Sequence, residues 1–139
     1  MQDALPENAV DNVHRLPLAA VARAPRPRVY RGVARTTNGR PEVSVTIDGA
    51  PLAWRLDVAN HSPGGLGWGY AGSGAAQLAV AILCDALGDV ARAIRLYQRF
   101  KFAWVARLPM HRDWSITQDE VREIVEAIER AETAVAGGV

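Results

Sequence analysis

The chain has 139 residues, 49% of them hydrophobic and 22% charged, with a formal net charge of +1. That size and balance suit one globular domain around a single core. No apolar run approaches the ~20 residues that cross a bilayer, the N-terminus lacks the basic start and long apolar stretch of a secretory signal, and the lone Cys84 excludes an internal disulfide; a reducing, cytoplasmic setting is the expectation.

Residues 1–27 read as an N-terminal arm. Pro6, Pro17, Pro25 and Pro27 interrupt any periodicity there. A single α+β domain is expected over 28–139. It opens with three strand-like segments. RVYRGVARTT places Val29, Arg31, Val33 and Arg35 on one face and Tyr30 on the other. Asn38-Gly39 is a hairpin signal, because both residues tolerate positive φ. PEVSVTID alternates, with Val43, Val45 and Ile47 on one side, and Asp48-Gly49 is a second turn. PLAWRLDV then aligns Leu52, Trp54, Leu56 and Val58. Two tight turns between period-two segments predict an antiparallel three-stranded meander, apolar on one face and needing a helical cover.

Next comes HSPGGLGWGYAGSGAAQLA, with Gly64, Gly65, Gly67, Gly69, Gly72 and Gly74 close together. Beyond it Ala75–Leu87 is apolar on most sides, the mark of a buried helix, and Gly88 is placed to end it. Asp89 is placed to cap a second helix carrying Arg92, Arg95 and Arg99 at i, i+3 and i+7. KFAWVARLP is read as a fourth strand. Thr117 and Glu120 form a capping box for a last helix striped by Val121, Ile124, Val125 and Ile128. The predicted order is β-β-β-α-α-β-α, a four-stranded sheet covered by about three helices.

Charge is uneven. Residues 28–108 hold ten Arg or Lys against five Asp or Glu, and 109–139 hold three against seven. Such asymmetry steers an anionic ligand to one side, or is a solvated surface whose halves neutralise each other. Arg92, Arg95 and Arg99 read either as a secondary basic patch or as a solvated helix face.

The glycine loop offers the main candidate site. A glycine-rich turn lets backbone N–H groups approach an anion, and a helix starting near Ser73 aims its positive end there. Ser73 is placed to cap that helix and to touch a ligand. Trp68 and Tyr70 offer stacking surfaces. The ligand- or partner-binding set is therefore His61, Ser62, Trp68, Tyr70, Gly72, Ser73 and Gly74, with Arg31 and Arg35 adding charge. The alternative is a structural connection, with Trp68 in the core.

Other chemistries fit less well. Gly67-Trp68-Gly69-Tyr70-Ala71-Gly72 matches G-x-G-x-x-G, but it follows an antiparallel meander instead of opening a βαβ unit. There is no Walker A sequence and no nucleophile elbow around Ser73. His14, His61, His111 and Cys84 lack metal-ligand spacing, so no metal or cofactor is expected. His61 would be the acid/base of an enzyme, with Asp57, Asp85 or Ser62 as its partner. A pI of 8.0 and the lack of a recognisable module do not favour nucleic acid.

YRGVARTTNGRP, the HSPGGLGWGYAGSGAAQLAVAIL run, LYQRFK and VARLP with Trp114 together resemble an uncharacterised bacterial domain family. Its hallmark is similar to H-S-P-x-G-F-x-W-G-Y-x-G-S-G-P-A-Q-L-A, over about residues 28–128; Leu66 and Ala75 depart from it. The resemblance implies a small accessory protein of bacteria and their phages or plasmids, without an established activity. The leading expectation is a non-catalytic binding protein that holds a protein partner or an anionic small molecule, in its concrete version a mobile-element factor inhibiting bacterial defence. The alternatives are an enzyme acting on a nucleotide or phosphoester, and a structural subunit with a packing-only loop. A homo-oligomer is compatible with each.

Overall fold

The computed structural model describes residues 28–137; the expected arm over 1–27 lies outside them. Strands β1 (Val29–Thr37), β2 (Arg40–Ile47) and β3 (Ala50–Pro51) are followed by helices α1 (Ser73–Leu87) and α2 (Val90–Ala103). A 3-10 turn at Val105–Arg107, strand β4 (Trp114–Thr117) and helix α3 (Gln118–Gly137) complete the order. The fold is α+β, with an antiparallel sheet in the order β3-β2-β1-β4.

Local chemistry explains most of these boundaries. Asn38 and Gly39 (φ 52° and 76°) make one hairpin turn, and Asp48 and Gly49 (φ 51° and 85°) make the other. Both pairs have the positive φ of the turn whose twist matches paired strands. Gly88 ends α1 in the left-handed region, its N–H donating to the Cys84 carbonyl. The Arg92 N–H donates to the Asp89 carboxylate at 3.0 Å. Thr117 and Glu120 exchange bonds as a capping box, 2.9 Å and 3.1 Å long.

Helix α1 is the centre of the core. From Gly74 to Cys84 every residue is buried, and Leu78, Ile82 and Leu83 are fully enclosed. Tyr30, Val45, Ile47 and Ile116 from the sheet join the same cluster, as do Leu96 and Phe100 of α2 and Val121 and Val125 of α3. The buried Tyr30 hydroxyl donates to Asp85, which also pairs with Arg28 at 3.2 Å. Burial, then the Asp85 bond, raises the Tyr30 hydroxyl far above the usual phenol range. Among the described residues, no helix is long and apolar enough to cross a membrane.

Two expected strands differ from the structure. The third ends at Pro51. Leu52 is buried, but Trp54 and Leu56 are 38% and 37% exposed, so they do not pack under α1. The cause is Gln77, a fully buried side chain on α1. Its Nε2 donates to the Trp54 carbonyl at 2.6 Å, and its Oε1 accepts from the N–H groups of His61 and Ser62 at 2.8 Å and 3.2 Å. The chain is thus drawn off the sheet, and it turns at Arg55 (φ 59°). The fourth strand is not KFAWVARLP. Helix α2 continues to Ala103, with Trp104 stacked on Phe100 one turn earlier, and the strand is Trp114–Thr117, whose Trp114 and Ile116 alternate inward.

Candidate functional site

The glycines of the loop seat one aromatic ring. A Cβ on Gly67, Gly72 or Gly74 would stand 2.5, 2.6 and 2.6 Å from atoms of Tyr70, so a side chain at any of the three would displace it. Gly69 has φ 83°, and its Cα face abuts the Met110 backbone, where a Cβ would come within 2.7 Å. Its N–H donates to the Val105 carbonyl at 3.0 Å, and the Gly67 N–H donates to that of Gly74 at 3.1 Å. The loop is therefore folded tightly on itself and on the segment after α2. Lys101, itself buried, donates from Nζ to the Ala71 carbonyl at 3.2 Å and ties the loop to α2.

Trp68 is a core residue, 3% exposed. Its indole N–H donates to the Arg112 carbonyl at 3.0 Å. Its ring meets Trp114 edge-on at 5.6 Å, and Trp114 in turn meets Trp104 edge-on at 5.1 Å. Trp114 lies against Gly32, where any Cβ would overlap the indole. This aromatic chain joins β1, β4, the loop and the end of α2, and it removes Trp68 from the set of stacking surfaces. Tyr70 keeps that role, at 43% exposed above its glycine seat.

Ser73 does not cap α1. The N-cap is Gly72, and no side chain bonds there. Ser62 spends its hydroxyl on the Gly65 carbonyl at 2.6 Å. The ring of His61 lies 5.1 Å from that of Tyr97, and its buried Nε2 has no hydrogen-bond partner among the described residues. The expected partners of His61 are committed elsewhere: Asp57 to Arg55, and Asp85 to Tyr30 and Arg28. Among the described residues, no acid/base pair is assembled around this histidine.

The arginines are also placed differently from expectation. Tyr30 and Gly32 are buried while Arg31 and Arg35 alternate with them onto the outward face of β1, so neither reaches the glycine loop. Arg35 pairs with Asp113 at 3.6 Å. Arg92, Arg95 and Arg99 do not form a free anion-binding stripe. Arg92 and Arg95 bond Glu129 at 2.6 and 3.1 Å, and Arg95 and Arg99 bond Glu132. The basic face of α2 is neutralised by the acidic face of α3, and the Arg92 bond, with help from Arg95, holds the Glu129 carboxyl below its usual range. Burial pushes the Cys84 thiol up, away from the reactive thiolate. No group of three or more His, Cys, Asp or Glu among the described residues could hold a metal ion.

What the loop does build is a groove of about 650 Å³ between itself and β2. Val43, Val45 and Leu52 contribute from the sheet side, and Leu66, Trp68 and Tyr70 from the loop. Trp54, Met110 and His111 also line it. Val43, Trp54, Tyr70 and Met110 are all more than a third exposed, although each is large and apolar. Of the sequence candidates, Trp68 and Tyr70 line this groove; His61, Ser62, Gly72, Ser73, Gly74, Arg31 and Arg35 do not. Alternation assigns Val43 and Trp54 to the core, and no sequence pattern marks Met110, yet all three stand exposed in the groove.

A family model of unknown function matches residues 30–127. The chain belongs to DUF6166. In this DUF6166 domain the match runs from the first buried strand residue, Tyr30, into α3, and so takes in the whole groove. No curated protein and no solved structure matches the chain.

Proposed function

We propose that this protein is a non-catalytic binding protein and that the groove between β2 and the glycine loop is its binding surface. One observation carries the reading. Four large apolar side chains, Val43, Trp54, Tyr70 and Met110, stand exposed around a single concavity. Clustered apolar exposure of this kind is costly in water and marks an interaction site. The rigid backing of the loop supports it, because a surface held in shape before binding loses less entropy on association.

The partner is a protein in this reading. The groove is mostly apolar and no Arg or Lys among the described residues lines it, which suits side chains better than a free anionic nucleotide. In the accessory role implied by the motif resemblance, that partner is a bacterial defence protein met in the cytoplasm. The enzyme alternative is weakened because no carboxylate among the described residues bonds His61, and the packing-only alternative by the exposure of the groove.

The test is retention of a partner from lysate of the source cells by immobilised parent and by a Trp54→Ala/Met110→Ala double variant of equal melting temperature. Specific retention by the parent, lost in the variant, is the expected result. Equal retention by both proteins would overturn the assignment of the groove.

A further inference from the structure

The groove has a polar element that its side chains do not reveal: an unpaired length of strand edge. In β2 the Val45 carbonyl accepts from the Leu52 N–H at 3.0 Å, so Val45 turns its main-chain groups away from β1. Two residues earlier, Val43 presents its N–H and C=O along that same edge, as strand periodicity requires. The register of β2 with β3 stops at Thr46 and Pro51, so no strand among the described residues covers Val43. The next residue that could pair there is held by Gln77, which takes the Trp54 carbonyl. The sheet is therefore one short strand incomplete beside the exposed apolar groove.

Charge narrows the occupant. Arg40 precedes the groove residue Pro41, and Arg112 follows His111, which also lines it. Both arginines are exposed, and no carboxylate among the described residues lies within ion-pair distance of either. Glu42 is the one acidic residue lining the groove.

We infer that the partner docks as an extended acidic peptide, adding a strand to the free edge of β2 at Val43 and dropping alternate apolar side chains into the groove between Trp54 and Tyr70. The inference rests on reading the groove as the binding surface. Main-chain bonds to Val43 hold the segment extended, the apolar floor selects its inward residues, and the two exposed arginines next in sequence to lining residues, against the single Glu42, favour outward carboxylates. Pro41, without an N–H, limits the pairing to a few residues and keeps the edge from recruiting strands indiscriminately.

The probe is a capped hexapeptide alternating glutamate with valine, followed by fluorescence anisotropy with the full chain. Two N-methylated versions carry the methyl groups on all valine amides or on all glutamate amides. A fourth peptide has lysine for glutamate. In an added strand, alternate amides face β2 and the rest face solvent. Saturable binding is expected for the acidic peptide. One methylated version should bind at least about tenfold more weakly, equivalent to about 1.4 kcal/mol, while the other binds nearly as well. The lysine peptide should bind weakest, and added salt should narrow its difference from the acidic one. These modifications lie on the ligand, so the fold of the protein is not at stake. Binding that is lost in the Trp54→Ala/Met110→Ala variant but tolerates both methylation patterns would overturn strand addition and leave the groove as the site. No saturable binding by any of the four peptides would overturn the inference, while the lysate experiment above decides the groove separately.

Discussion

The side chain of Gln77 bonds the Trp54 carbonyl at 2.6 Å, and the same amide accepts from His61 and Ser62. One buried residue on α1 thus shortens β3, exposes Trp54, and fixes the entry to the glycine loop. Gln77→Leu, close in size but unable to bond, should lower stability by about 2–4 kcal/mol, because three backbone groups lose their partner. Urea denaturation measures this. A loss below about 0.5 kcal/mol would mean that water or an alternative bond replaces the amide.

Tyr70 and Gly72 make a sharper case. The ring occupies the space of a Cβ on Gly72, although the backbone there, at φ −90°, accepts alanine. Gly72→Ala should therefore destabilise through crowding, by about 1–3 kcal/mol. In a Tyr70→Ala background the same substitution should cost far less. Additive effects in this double-mutant cycle would contradict the seat.

Trp68 and Trp54 should behave oppositely. Trp68→Ala removes a 3% exposed ring and orphans the Arg112 carbonyl, and should lower stability by about 3–5 kcal/mol. Trp54→Ala removes a 38% exposed ring and should change stability by less than about 1 kcal/mol. Thermal denaturation of the two variants decides between core and surface. Similar losses in both would contradict the distinction.

The α2–α3 ion pairs imply a pH dependence of defined sign. The Glu129 carboxyl titrates lower in the folded protein than in the unfolded chain, chiefly because Arg92 bonds its charged form. Its stabilising contribution is complete above the unfolded value of about 4.3 and fades as pH falls through the folded value. Glu129→Gln should therefore flatten the acid limb of the stability curve below about pH 4, and barely alter stability in high salt. An unchanged acid limb would show that the pair is too solvated to matter, as exposed pairs often are.

Sequence and structure agree where chemistry is local. The Asn38-Gly39 and Asp48-Gly49 turns, the Asp89 cap, the Thr117–Glu120 box and the buried character of α1 are each decided within a few residues, and each stands where expected. Alternation in PLAWRLDV suggested a strand, but a bond from Gln77, 23 positions beyond Trp54, overrides it. The same limit applies to the site. Glycine density marked the loop, yet its meaning depends on which ring the glycines face. Pro41 to Val45, Leu52, Trp54, Leu66 to Trp68, Tyr70 and Met110 meet only in three dimensions, so the groove has no signature in any one segment. The arginine triplet on α2 was visible, whereas its neutralisation by Glu129 and Glu132 depends on how α3 packs.

The central claim is that a partner occupies the groove beside Tyr70 and Val43. Hydrogen exchange of the backbone amides, with the retained partner bound and absent, tests it most directly. The account predicts added protection over residues 41–45 and 64–70, with little change along α2 and α3. Protection concentrated on the α2–α3 surface, or on the outward face of β1 around Arg31, would contradict it.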